Sequence, residues 1–335
     1  MKDNSFQDKN VFVTGSDGFI GSHLVEDLVK NGANVKAMIY YNSWNNIGWL
    51  NDVDPMVLDK IEIYPGDIRD YQSVLEGVKD CHYVFHLSSL IAIPYSYQAP
   101  RSYIDTNIIG AHNVLEACRQ SKNLERLVHV STSEVYGSAQ TVPISEKHPL
   151  VGQSPYSASK IGADKIAESY HLSFDLPLVI ARPFNTFGPR QTARAVIPTI
   201  ISQVICEHKK IKLGALSPTR DFNFVKDTVN GMMLLAQSDK ANGHTVNIGS
   251  GKEWSIKETA EMIFKISGKS GIEIITDEQR IRPSKSEVNR LIADNQLIKE
   301  ITGWRDEVGF EKGLDQTYRW IEKNLHHFDV GTYAK

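Results

Sequence analysis

A phenol at Tyr156 and an ammonium at Lys160 stand four residues apart in Tyr156-Ser-Ala-Ser-Lys160. On a helix that spacing puts both side chains on one face, a turn apart. A free tyrosine titrates near pH ~10, so it acts as a base at neutral pH only beside positive charge. Lys160 supplies that charge. Upstream, Leu127-Val-His-Val-Ser131-Thr132-Ser133-Glu134 is an apolar run ending in small hydroxyl residues and one carboxylate. This is the pattern of a buried parallel strand opening into a cleft. A hydroxyl, a carboxylate and an activated phenol would then meet at one point, equipped for proton transfer.

A second constellation lies at the start of the chain. The β-rich run Asn10-Val-Phe-Val-Thr14 leads into Gly15-Ser-Asp17-Gly18-Phe19-Ile20-Gly21 and then into the helical pattern Ser22 to Lys30. Glycines there allow a sharp turn and close approach to a pyrophosphate, whose charge meets the free N–H groups and positive end of the helix. Its place between a strand and a helix, with Asn31-Gly32 as a helix stop and Val35–Ile39 as the next strand, predicts a dinucleotide site. The acid that usually holds the adenosine ribose is missing from the end of that second strand, which reads Ile39-Tyr40-Tyr41-Asn42-Ser43. Asn42 or Ser43 takes its place as ribose ligand. No arginine stands nearby in the sequence to hold a 2′-phosphate, which favours NAD over NADP. After the strand Ile61–Tyr64, Asp67 either accepts from the adenine amino group or caps the helix starting near Tyr71.

The elements that must position these residues alternate between strands and helices through residue 182. Tyr83–Leu87 continues into the crevice through Ser88 and Ser89, and Pro177–Arg182 is a sixth strand. Asn107, near the start of the helical run Thr106–Cys118, is either a cap or a contact to the active-site backbone. His86, His112 and His129 lie among apolar residues and read as structural. The fold class is α/β, a Rossmann-like doubly wound parallel sheet with a smaller interleaved C-terminal substrate lobe. Residues 1–185, with a returning segment at about 225–250 that includes the strand Val246–Ile248, form the nucleotide-binding part. Residues 186–224 and 251–335, with an amphipathic helix at Ala195–Ile205, form the substrate lobe. Arg220 and Arg282 in that lobe are candidate clamps for a diphosphate, because guanidinium forks match phosphate oxygens.

Composition narrows the function classes. The formal net charge of −3 over 335 residues leaves no basic footprint for nucleic acid. No segment reaches the roughly 20 apolar residues of a membrane span, and the polar N-terminus lacks a secretory pattern, which predicts a cytoplasmic protein. The three cysteines, Cys81, Cys118 and Cys206, are widely spaced without metal-ligand spacing, and read as reduced core residues. No metal site is expected.

Together, Gly15-x-x-Gly18-x-x-Gly21, Asp67-Ile68, Ser131-Thr132-Ser133-Glu134, Tyr156-x-x-x-Lys160 and Arg182-Pro183-Phe-Asn185 resemble the extended short-chain dehydrogenase/reductase family of nucleotide-sugar-modifying enzymes. Within it, Tyr41–Leu50, Gly152–Ala163 and Arg182–Pro198 look like NAD-dependent 4,6-dehydratases of the legionaminic acid pathway type, which act on nucleotide-linked N-acetylglucosamine. The resemblance implies a homodimer through the helices containing Ala111 and Tyr156. It implies Thr132, Ser133, Glu134, Tyr156 and Lys160 as catalytic residues. The cofactor set it implies is Gly15, Asp17, Gly18, Phe19, Ile20, Gly21, Tyr40, Asn42, Ser43, Asp67, Ile68, Leu87, Ser88, Asn107, Ser131, Tyr156, Lys160 and Pro183. For the substrate it implies Ser89, Asn185, Ala195, Val196, Lys212, Arg220 and Arg282. Many hexose 4,6-dehydratases carry an aspartate before the glutamate, where this chain has Ser133. The same Thr-Ser-Glu triplet occurs in enzymes resembling UDP-glucuronate decarboxylases, so decarboxylation is the second reading and a nucleotide-sugar 4-epimerase the third. A dinucleotide-sensing regulatory protein is the non-enzymatic alternative, and it would have no need for Tyr156, Lys160 and Glu134 together.

Overall fold

The computed structural model describes residues 5–206, 209–281, 283 and 286–330. Arg282 lies outside them. The chain begins with β1 (Asn10–Thr14), α1 (Phe19–Lys30), β2 (Asn34–Tyr40), α2 (Pro55–Leu58), β3 (Ile61–Gly66), α3 (Tyr71–Val78) and β4 (Tyr83–His86). It continues through α4 (Ile93–Gln98), α5 (Pro100–Tyr103), a π-helical turn (Ile104–Ile109), α6 (Gly110–Gln120), β5 (Arg126–Val130), α7 (Pro155–Phe174) and β6 (Leu178–Pro183). The remainder comprises β7 (Asn185–Phe187), α8 (Val196–Ile205), β8 (Lys210–Leu213), β9 (Thr219–Arg220), β10 (Phe222–Phe224), α9 (Val225–Gln237) and β11 (Thr245–Ile248). It ends with β12 (Trp254–Ser255), α10 (Ile256–Ser267), β13 (Glu273–Thr276), β14 (Arg290–Leu291), α11 (Gln296–Thr302) and α12 (Phe310–Lys323).

Seven strands form one parallel sheet in the order β11-β6-β5-β4-β1-β2-β3. β4, β5 and β6 are buried along their whole length, which is why their sequences run apolar rather than alternating. Leu24 and Leu28 of α1 join Val229, Met232 and Met233 of α9 in one apolar layer. Val74 of α3, Val114 and Leu115 of α6 and Ala167 of α7 belong to a second. Strand order reverses between β4 and β1, so a crevice opens at the carboxyl ends of those two strands. The returning segment lands as β11, whose residues 245–248 pair with residues 180–183 of β6. Three small sheets, β7 with β10, β9 between β12 and β14, and β8 with β13, lie outside the main one. No helix among the described residues is long and apolar enough to cross a membrane.

Two sequence expectations need correction. Cys206 is exposed, unlike the buried Cys81 and Cys118. His112 is likewise exposed, its ring edge-on to Tyr170 at 6.1 Å, whereas His86 and His129 are buried. A surface position and a core position of a helix look alike when the flanking residues are apolar.

Candidate active site

The crevice is built first by glycines. Gly15 has a φ of +70°, and a Cβ there would come 2.9 Å from the Ser88 backbone nitrogen. A Cβ on Gly21 would lie 2.0 Å from the Gly15 carbonyl oxygen. Only hydrogen side chains let the turn fold under the tip of β4. Thr14 Oγ1 accepts from the Leu87 and Ser88 amides, both at 3.1 Å, and bonds His86 Nδ1 at 3.0 Å, fixing that tip. α1 starts at Gly18 without a side-chain cap and without an acid in its first turn. Its positive end therefore faces the crevice unneutralised. These features fit the pyrophosphate of a dinucleotide.

At the far end of the crevice the structure shows what Asn42, Asp67 and Arg69 bond. Asn42 spends its amide on its own loop: Oδ1 accepts from the Trp44 and Asn46 amides, and Nδ2 donates to the Tyr40 and Asn46 carbonyls. Its amide scaffolds the loop. Asp67 does not cap α3, because Asp70 does, accepting from the Gln72 amide. Asp67 instead accepts from Arg69 Nη2 at 2.6 Å, and this bond holds its carboxyl below the usual range. Arg69 Nη2 also stands 3.3 Å from the Tyr40 hydroxyl, so the fold brings to the end of β2 an arginine that the sequence places far away. Asp17 sits beneath this loop, accepting from Trp49 N through its carbonyl and from Tyr40 N through its carboxylate, and burial raises its pKa.

The catalytic candidates do converge. Ser154 caps α7 with a reciprocal bond to Ser157, and Pro155 takes the first helical position, so Tyr156 lies in the first turn. Thr132 caps the short 3-10 turn Ser133–Tyr136, its hydroxyl accepting from the Glu134 amide at 3.2 Å. The Thr132 hydroxyl favours ionisation of the Tyr156 phenol, and the charge of the Glu134 carboxylate disfavours it. Burial pushes the Tyr156 phenol up, the Thr132 bond offsets part of this, and the Glu134 charge adds to it. Lys160 Nζ donates to the Val130 carbonyl at 2.8 Å, and burial lowers its ammonium to about 8. The Tyr103 ring, fully buried, packs edge-on against Tyr156 at 6.2 Å. Asn107 is not a cap. Its amide brackets Leu90, accepting from its nitrogen at 2.8 Å and donating to its oxygen at 3.0 Å, and donates to Ser159 Oγ at 2.9 Å, which ties the crevice backbone to α7.

The remaining candidates divide. Leu87, Ser88 and Ser89 line the tip of β4, with Ser89 Oγ 3.4 Å from the Leu87 carbonyl. Ile68 is buried, its carbonyl taken by Asn113, and Pro183 ends β6 beside Ile248. Phe19 packs edge-on to His23, and Ile20 packs against the core. Ser43 lies in the Asn42 loop. Asn185 Oδ1 is buried without a protein donor, an acceptor position suited to a ligand. Arg220 is buried and 3.4 Å from the Glu287 carboxylate, so its guanidinium is already engaged by a carboxylate. Ala195 stands just before α8 without capping it, Val196 begins the helix, and Lys212 is an exposed residue of β8. Ser131 turns its hydroxyl to Asp164 at 2.8 Å. Asp164 itself went unnoticed in the sequence, although it follows Lys160 by four residues.

A parallel seven-stranded sheet with a glycine turn at its switch point and a Tyr-x-x-x-Lys pair beside Thr132 and Glu134 defines an extended short-chain dehydrogenase/reductase. Residues 12–317 match the family model for GDP-mannose 4,6 dehydratase, and the chain belongs to that family. It is 32% identical over 312 residues to the low-salt glycan biosynthesis protein Agl12 of Haloferax volcanii, covering 91% of this chain and 96% of that one. It is 28% identical over 97% of its length to a trifunctional UDP-glucose 4,6-dehydratase/epimerase/reductase of Arabidopsis thaliana, but spans only 49% of that relative. The dTDP-glucose 4,6-dehydratase DesIV of Streptomyces venezuelae, solved with NAD bound, superposes with a TM-score of 0.84 at 28% identity, covering 96% of this chain and 99% of that one. A UDP-N-acetylglucosamine 4-epimerase of Methanobrevibacter ruminantium superposes with a TM-score of 0.85 at 31% identity, over 95% and 99% of the two chains.

Proposed function

We propose that this protein is an NAD-dependent 4,6-dehydratase of a nucleotide-linked N-acetylglucosamine, carried on UDP or GDP. The observation that supports the reading is a second ionisable group beside the phenol: the charge of Glu134, held in the turn that Thr132 caps, acts on Tyr156. An epimerase needs a base at the C4 hydroxyl only; a second carboxylate at the same point serves chemistry at C5.

The glycine turn and the open end of α1 hold the dinucleotide pyrophosphate. Asn185, Arg220 and Arg282 hold the nucleotide diphosphate of the substrate, with Ala195, Val196 and Lys212 beside its base. Bound NAD supplies the hydride acceptor at C4 and the hydride donor at C6. Tyr156, with Lys160 as its fixed cation, takes the proton of the C4 hydroxyl. The C4 ketone acidifies the C5 proton, which Glu134 removes as the C6 hydroxyl departs. That leaving group needs a proton to become water. Ser133, buried and a weak acid, is a poor donor, so Glu134 serves both steps. A proton returned to C5 completes a 4-keto-6-deoxy sugar, with the loss of one water and no net use of cofactor. Exposed Ile104, Ile109, Leu172 and Phe174, on α7 and on the π-turn leading into α6, support a homodimer through these helices, which sedimentation of the native protein checks.

Incubation with UDP-N-acetylglucosamine, GDP-N-acetylglucosamine and UDP-glucuronate separately, with each product weighed, tests the reading. Loss of one water from an acetylamino sugar is the expected result. An isomer of unchanged mass would mean a 4-epimerase. Loss of CO2 from UDP-glucuronate alone would mean a decarboxylase.

A further inference from the structure

Asp164 stands one turn beyond Lys160 on α7, extending the face that carries Tyr156. The two side chains close on adjacent residues at the end of β5. Lys160 Nζ donates to the Val130 carbonyl, and the Ser131 hydroxyl donates to Asp164 Oδ2, each at 2.8 Å. Both residues are buried, at 3% and 1% exposure. Arg182 donates to the same Oδ2 through Nε and Nη2, at 3.1 and 2.9 Å. Oδ1 has no hydrogen-bond donor, since His129 Nε2 stands off at 3.5 Å. If Asp164 served only as the counter-ion of Arg182, a fork-to-fork pairing using both oxygens would be the stronger arrangement. Oδ1 instead faces His129.

Other charged and titratable groups face this cluster from every side. His86 comes from β4, His129 from β5 and Arg182 from β6. Glu134 and Tyr136 come from the turn after β5, Tyr103 from α5 and Tyr156 from α7, while Glu146 reaches Tyr136 and Arg182 from beyond. Burial holds His86 well on the neutral side and lowers His129, which Asp164 partly holds up. Burial lowers the Lys160 ammonium, and Asp164 is the charge that opposes this fall. Asp164 keeps its own carboxyl below the usual range despite burial, through His129 beside it and the charges of Arg182 and Lys160.

We propose that Asp164 is a positioning residue that keeps Lys160 charged in its buried seat, and so sets the upper pH limit at which Tyr156 works as a base. The kinetic half of this proposal rests on the dehydratase reading; the electrostatic half does not. The test uses full-length protein labelled with 13C-lysine, in which the Lys160 Cε resonance, assigned by its disappearance in Lys160→Met, follows the charge on Nζ. In the native protein it titrates near about 8. Asp164→Asn lowers that midpoint by roughly one pH unit or more, and Asp164→Glu restores most of it. The alkaline limb of kcat moves down by the same amount while KM for the nucleotide sugar stays within about two-fold. If the amide variant does not fold, Asp164→Ser, which leaves room for water against Arg182 and Ser131, takes its place. A Cε midpoint unmoved by loss of the carboxylate overturns the proposal whatever the substrate is. A midpoint that falls, in a protein that turns over no nucleotide sugar, supports the role of Asp164 and overturns the dehydratase reading instead.

Discussion

Tyr156→Phe removes a single oxygen from a ring that is otherwise held by packing against Tyr103. Turnover is expected to fall by roughly 10²–10⁴-fold, the usual contribution of a positioned acid or base. NAD affinity measured by calorimetry should stay within a few-fold, because the glycine turn and α1 carry that binding. Undiminished turnover would remove Tyr156 from the chemistry. The phenol is a weak acid in its resting surroundings, since burial and Glu134 both keep its proton on. In the proposed mechanism Lys160 is the opposing charge, and burial lowers it so that it is lost as the pH rises through about 8. Activity should therefore decline on the alkaline side of that value rather than near the ordinary lysine range.

Among the elements, the strand-turn-helix at the N-terminus is the least tolerant of change. Gly21→Ala would set a methyl 2.0 Å from the Gly15 carbonyl, a backbone atom that cannot step aside. The turn must open, and calorimetry should find NAD binding weakened by at least about ten-fold with the thermal transition largely retained. This turn was legible in the sequence because its physics is local: three glycines, a preceding apolar strand and a following helix suffice. Tyr156 and Lys160 were legible for the same reason, their spacing being a property of one helix. The loop bonds of Asn42 were not legible, because a side chain that satisfies its own loop looks identical, in sequence, to one that points outward. Asp67 and Asp70 differ by three positions, and only the observed start of α3 shows which one caps it. Arg69 near Tyr40 and Glu287 against Arg220 arise from pairings between separate strands and segments, which no local pattern encodes.

For the molecule as a whole, Arg190 is a fastening between its parts. Reaching back from the loop after β7, it donates to Glu26 of α1 at 2.8 Å and to the Asp52 carbonyl at 3.0 Å, itself buried at 6% exposure. His23 of the same helix contacts the Pro189 carbonyl at 3.0 Å. Arg190→Met strands the Glu26 carboxylate in the interior, and denaturant unfolding should register a loss of about 3–5 kcal/mol. A change below about 1 kcal/mol would show that the pair is dispensable. The strand β11 has a different consequence, one of timing. Because the chain leaves the main sheet after β6 and supplies its last strand only at residues 245–248, a ribosome has made most of the protein before that sheet can be closed. Until then β6, apolar and built for burial, is held out as a raw edge on the nascent polypeptide. Newborn copies crowded on one message are thus most prone to stick to each other between the synthesis of β6 and that of β11.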